Sequence, residues 1–151
     1  MAESNTPTIE NRKARFEFHI VDTFEAGVVL QGTEIKSIRK GNVGFTDSFA
    51  YMKEGEVWLK DMYIKEFEHG SYNNHPPLRL RKLLLNRDEI KKIDKAITQK
   101  GYSLVPLKLY FKNGRVKIEM GLAIGKKLHD KRATIAERDA KRELDRAMKR
   151  G

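Results

Sequence analysis

The spacing of apolar and polar residues divides the chain into short elements. "FEFHIV", from Phe16, alternates apolar and polar side chains with the period of a half-buried strand. "FEAGVVL" continues it, and Gly27 inside the run predicts a bulge or a close backbone approach. "GTEIKSIRKG" changes period. Thr33 can cap a helix, Ile35 and Ile38 stand three apart, and Gly41 marks a stop, so a short helix is expected with Lys36, Arg39 and Lys40 outward. "FTDSFAYMK", the turn "EGE" and "VWLKDMYI" read as a hairpin. Residues 69–77 read as a loop around two prolines. "LRLRKLLL" is strand-like, with Leu78, Leu80 and Lys82 on one face and Arg79, Arg81 and Leu83 on the other. Asn86 and Glu89 form a capping box before the helical stripe Ile90, Ile93 and Ile97, and Gly101 ends it. "YSLVPLKLYF", the turn "KNG" and "RVKIEMGLAI" make a second hairpin.

About six short antiparallel strands with two inserted helices suit a small closed barrel such as an oligonucleotide-binding (OB) fold, with a split β-sandwich as the alternative. The expected class is therefore mainly β with short helices: an antiparallel OB-like barrel followed by a basic tail. Residues 1–10 are polar, carry Pro7, and are expected to be a flexible arm; 11–125 form the barrel; 126–151 form the tail. The tail holds ten Lys/Arg and five Asp/Glu, half of the chain's net charge of +10. Its large apolar residues are Leu128, Ile135, Leu144 and Met148, too thin a stripe to dock firmly on a core. Thr134 and Glu137 form a possible capping box, and Glu137–Lys141 and Asp145–Lys149 are i,i+4 pairs. The expectation is a tail that is disordered when free and helical when an acidic partner holds it.

Charge narrows the function. A chain of 151 residues at +10, with pI near 9.8, points to a polyanion, nucleic acid before an anionic membrane. No apolar run approaches the length of a transmembrane helix, and "MAESNTPTIENRK" lacks the apolar segment of a secretory signal. There is no cysteine, hence no disulfide framework or thiolate zinc site. A cytoplasmic protein is expected.

Catalytic constellations are sparse. His19, His69, His75 and His129 are scattered, and a ribonuclease needs two positioned acid–base groups. Neither a metal-ligand pair nor a Gly-rich phosphate loop is found, so no enzyme and no cofactor are expected. Cations recur in "NRKAR", "KSIRK", "RLRK", "GKK" and "DKR", which a barrel can gather into one phosphate-binding surface. The acid of "EAG" is a second signal, since a carboxylate accepts hydrogen bonds from exocyclic base amines where a cation cannot. On the residues alone, a solvated strand acid is the commoner explanation. Most aromatics fall at strand spacing and read as core.

Four stretches, "NRKARFEF", "DTFEAGVVLQGTEIKSIRKG", "RLRKLLLN" and "GKKLHDKR", resemble the bacterial SsrA-binding protein (SmpB) family in order and spacing from Asn11 to Arg132. The resemblance implies an RNA-binding adaptor on an OB-type barrel. Such an adaptor binds the tRNA-like domain of transfer-messenger RNA and takes it to stalled ribosomes for trans-translation. Its tail enters the empty mRNA channel. The RNA contacts implied are Asn11, Glu25, Lys82, Leu84, Lys117 and Lys126. His129, Asp130, Lys131 and Arg132 are implied at the decoding centre, with Ile135 and Met148 making apolar contacts in the channel. Implied partners are transfer-messenger RNA, the small ribosomal subunit with its rRNA, and elongation factor Tu, with no membrane and a monomeric protein. Phe16 departs from the family pattern, which commonly has a histidine or another polar-aromatic residue there, and Ile124 stands where a lysine often precedes "GKK". A general single-strand binder with exposed aromatics and a histidine-dependent nuclease are the rival readings.

Overall fold

The computed structural model describes residues 6–69 and 74–126. In chain order they form β1 (Ile9–Glu10), α1 (Arg12–Glu17), β2 (Phe18–Val28), α2 (Gly32–Arg39), β3 (Val43–Gly44), β4 (Phe49–Lys53), β5 (Glu56–Lys60), β6 (Tyr63–Ile64), β7 (Arg81–Leu84), α3 (Arg87–Lys100), β8 (Ser103–Lys112) and β9 (Arg115–Gly125). All pairings are antiparallel, and the ring β8-β4-β5-β7-β2-β9 closes through β8–β9. Closure yields the expected OB-like barrel and removes the free edges a sandwich would keep. β3 and β6 pair as a separate ribbon.

Local chemistry explains the turns. Glu54–Gly55 and Asn113–Gly114 both carry positive φ at consecutive positions, the backbone that a tight two-residue hairpin requires. The Asn86–Glu89 capping box starts α3, and Gly101, left-handed at φ 69, ends it. α2 begins at Gly32, one residue before Thr33, and Gln31 is its cap; the Gln31 amide donates to Glu34 Oε1 at 2.8 Å. The Thr33 hydroxyl instead meets His75 Nδ1 at 2.9 Å.

Two expectations at the N-terminus are corrected. Ile9 and Glu10, placed in the flexible arm, form β1 against Leu109 and Lys108. Ile9 is apolar enough to pack on the barrel core, and its backbone covers the β8 edge where the β4 pairing, a single bridge at Ala50–Leu104, has ended. Phe16 and Glu17, expected to begin a strand, instead end the helix Arg12–Glu17. One turn and a half is too short to show a 3.6-residue stripe, but Ala14 packs on Val105, Leu107 and Ala123 outside the barrel wall.

The main core fills the barrel with Ala26, Val57, Leu59, Leu83, Leu109, Ile118 and Met120, joined by Ile38 of α2 and Ile93 of α3. Of "LRLRKLLL", read as strand-like throughout, Arg81–Leu84 form β7 and Leu78–Leu80 lie before it; within β7 Arg81 and Leu83 point inward and Leu84 outward. An inward arginine requires a partner, and Glu34 is fully buried beside it. Arg81 Nε donates to Glu34 Oε2, Arg79 Nη2 donates to Glu34 Oε1 at 2.6 Å, and Arg81 also donates to the carbonyls of Met62 and Pro77. Burial pushes the Glu34 carboxyl up, yet the donors Arg79, the Gln31 amide and Arg81 together hold it below its ordinary range.

Candidate nucleic-acid interface

The outward face of β7, β2, β9 and β8 carries the densest group of predicted site residues. Register aligns Leu84, Gly27, Lys117 and Tyr110 in one row across four strands. The next row along contains Glu25, Glu119 and Lys108. Gly27 is the close approach its sequence context predicted: a Cβ there would lie 3.3 Å from Leu84 Cβ and 3.7 Å from Lys117 Nζ. Its missing side chain lets an apolar group and an ammonium meet over bare backbone. The bulge in β2 falls instead between Ile20 and Asp22.

Glu25 is held in place by two groups of β8. The Tyr110 hydroxyl donates to Glu25 Oε2, and Lys112 Nζ lies 3.3 Å from Oε1 and 3.4 Å from Oε2. The Tyr110 bond, against the opposing effect of burial and with help from Lys112 and Lys117, keeps the carboxyl below its ordinary range. Burial and the same bond push the Tyr110 hydroxyl far above its ordinary value. Glu25 is therefore a fixed anion at neutral pH. It shares an open hollow of about 400 Å³ with Lys112, Asn113, Arg115 and Lys117. One acceptor among three cations fits a ligand that presents phosphates and base amines together. Leu84, 52% exposed, adds an apolar contact beside it.

Other predicted residues stand elsewhere. Lys82, two residues from Leu84 on the same outward side of β7, is paired to Glu56 at 2.7 Å. Lys126 lies just past the far end of β9, roughly 25–30 Å from Lys117 by strand rise. Its ammonium sits 5.7 Å over the ring of Phe16, which is 79% exposed. Asn11 is buried and fully used by the fold. Its Nδ2 donates to the Pro106 carbonyl and its amide to Leu107 O, both at 2.8 Å, while Oδ1 accepts the Ala14 amide and caps α1. These bonds satisfy carbonyls exposed by the β8 bulge between Pro106 and Lys108. Ile124 is buried in the barrel wall. His129, Asp130, Lys131, Arg132, Ile135 and Met148, with the tail's Thr134–Glu137 box, lie outside the described residues.

Sequence reasoning missed Tyr110, Lys112 and Arg115. Period-two alternation already places Lys108, Tyr110 and Lys112 on one face of β8, but nothing local shows that face meeting Glu25. Among the described residues, no cluster of three His, Cys, Asp or Glu side chains could hold a metal. His75 is buried with both ring nitrogens used: Nε2 meets the Ile64 carbonyl at 2.9 Å and so carries the proton, while Nδ1 faces Thr33. It is a strut, not half of a nuclease pair. Among the described residues, no helix is long and apolar enough to cross a membrane.

A family model described as SmpB protein matches residues 8–150. The chain belongs to the SmpB family. A protein of Acetivibrio thermocellus called SsrA-binding protein is 56% identical over 147 residues, 97% of this chain and 96% of its relative. One of Thermobifida fusca with the same name is 55% identical over 141 residues, 93% of this chain and 88% of that one. A solved chain from a structure described as "tmRNA-SmpB: a journey to the center of the bacterial ribosome" is 49% identical, with a TM-score of 0.68, covering 80% of this chain and 85% of that chain. SmpB is an RNA-binding family, and this member's antiparallel barrel agrees with the family's OB-like fold.

Proposed function

We propose that this SmpB-family chain is an RNA-binding adaptor of ribosome rescue. It binds the tRNA-like domain of transfer-messenger RNA and brings it to stalled ribosomes for trans-translation, working with the small ribosomal subunit, its rRNA and elongation factor Tu. The observation that carries the reading is the Glu25 hollow, where one fixed carboxylate stands among Lys112, Arg115 and Lys117 beside exposed Leu84. The relatives named SsrA-binding protein support the identity of the RNA. Glu25 accepts base amines, the cations neutralise phosphates, and Leu84 packs against sugar or base. Lys82 and Lys126 extend the basic surface. Asn11 contributes by fixing α1 rather than through a free side chain. In the tail, His129 with Asp130, Lys131 and Arg132 occupies the decoding centre, and Ile135 and Met148 make the apolar contacts of the channel. The protein acts as a cytoplasmic monomer and catalyses nothing: it presents charge and shape where a codon–anticodon duplex is missing.

Competition binding at two salt concentrations tests this, with the tRNA-like domain, an unrelated tRNA and a single-stranded RNA of similar length. All three should weaken as salt rises, by on the order of 10³ for six or more phosphate contacts. The tRNA-like domain alone should remain bound at the higher salt, and Glu25→Ala should weaken it selectively. Equal loss of all three RNAs, or unchanged affinity in Glu25→Ala, defeats the reading.

A further inference from the structure

Away from the Glu25 hollow, the barrel seam opens. β4 and β8 pair only at Ala50–Leu104, and beside that bridge lies a cavity of about 470 Å³ between α1, the end of α3 and the turn before β4. This volume falls in the range of small-ligand sites, ~300–1,000 Å³. Its walls are aromatic: Phe18, Phe45, Phe49, Tyr51 and Tyr102 all line it. Phe49 is 40% exposed, and its ring lies 6.3 Å from that of Tyr51, so part of the aromatic lining is reachable from solvent.

The rim is polar and of mixed sign. Lys13 and Glu17 project from α1 and pair loosely at 3.8 Å with both side chains largely exposed, so each is free to change partners. Asp47 stands on the facing turn. That turn closes through the Ser48 amide to the Phe45 carbonyl at 3.0 Å, and Ser48 Oγ ties it to Lys60 O at 3.0 Å. Asp47 is its third residue and has φ 58, a conformation glycine adopts most readily. A carboxylate is therefore held at the mouth of an aromatic slot on a rigid turn, and among the described residues no cation pairs with it.

We propose that this seam cavity binds an unstacked guanine base of the bound RNA. Aromatic walls supply stacking. A carboxylate accepts two adjacent N–H groups, and guanine alone among the four bases presents such a pair, N1–H and the N2 amine. Lys13 then meets the attached phosphate. The ligand's source rests on the RNA-adaptor reading, and the chemistry of the slot does not. Asn11 is a positioning residue here, since its bonds to Pro106 and Leu107 hold α1 as the cavity wall.

The test uses the full chain and amide NMR titration with GMP, IMP, AMP and ribose 5-phosphate. GMP should saturably shift the amides of Phe18, Ser48, Tyr51 and Tyr102. IMP, which lacks the N2 amine, and AMP should bind several-fold more weakly, and ribose 5-phosphate should leave these amides in place. Asp47→Gly suits the turn's backbone and keeps the fold, and it should weaken GMP about tenfold. The inference is overturned if GMP leaves these amides unmoved, if ribose 5-phosphate moves them equally, or if Asp47→Gly binds GMP as tightly as the parent. A second arm replaces unpaired guanosines of the tRNA-like domain with inosine, and affinity should fall at one of them. If GMP binds as expected but no inosine matters, the RNA source is overturned and the slot takes a free nucleotide. If GMP fails while the tRNA-like domain still binds through Glu25, the pocket inference falls and the adaptor reading stands.

Discussion

Replacing Glu34 by glutamine should be the most damaging isosteric change in the barrel. The carboxylate is fully buried and accepts from three donors: the Gln31 amide and Arg79 at Oε1, and Arg81 at Oε2. An amide offers one oxygen and turns its own N–H groups toward whichever donor is left. The Arg81 guanidinium, equally buried, then keeps only the Met62 and Pro77 carbonyls and loses its counter-charge. Removing one partner of a buried pair costs about 3–5 kcal/mol, because the other charge stays buried and uncompensated. Against a typical stability of 5–15 kcal/mol, this should lower the melting temperature by roughly 10–20 °C. Urea denaturation followed by circular dichroism at pH 7 measures it for Glu34→Gln, Glu34→Met, Arg81→Met and the double methionine variant. The double variant should lose less than the sum of its two singles, since it leaves no orphaned charge. Glu34→Gln within about 1 kcal/mol of the parent, or strict additivity of the methionine pair, would refute the reasoning. The same network gives an acid signature. The folded-state pKa of Glu34 lies below its ordinary value of 4.5, so its stabilisation is complete above that pH and is lost as pH falls through the lower folded value. Glu34→Gln should flatten that acid limb.

Asn11→Ala should cost about 1–3 kcal/mol in the same assay, combining a lost helix cap with an unsatisfied Pro106 carbonyl. Lys112→Ala and Lys117→Ala should each reduce the slope of log affinity against log salt by about 0.7–0.9, read from RNA titrations at several salt concentrations. Truncation after Arg132 should leave affinity for the tRNA-like domain nearly intact and abolish tagging in a stalled-ribosome translation assay. Retained tagging would remove the tail's proposed role.

Most of the elements were legible because their signals are local. The period-two runs of the two hairpins, the Asn113–Gly114 turn, the Asn86–Glu89 box and the Gly101 stop depend on residues within a few positions of one another. Where the signal was too short, as in α1 and β1, tertiary contacts decided: Ala14 on Val105 and Leu107, and Ile9 on the core. Charge pointed to a polyanion and motif spacing to the family, and both are properties of the chain as written. The site is different. Glu25 meets Tyr110 across 85 residues of sequence, and Glu34 meets Arg81 across 47. Only barrel closure brings those partners together. The same closure gave Asn11 its buried hydrogen bonds and left a slot at the weakly paired β4–β8 seam. Local periodicity specifies which way a side chain faces; which strand lies beside it is settled when the ring closes.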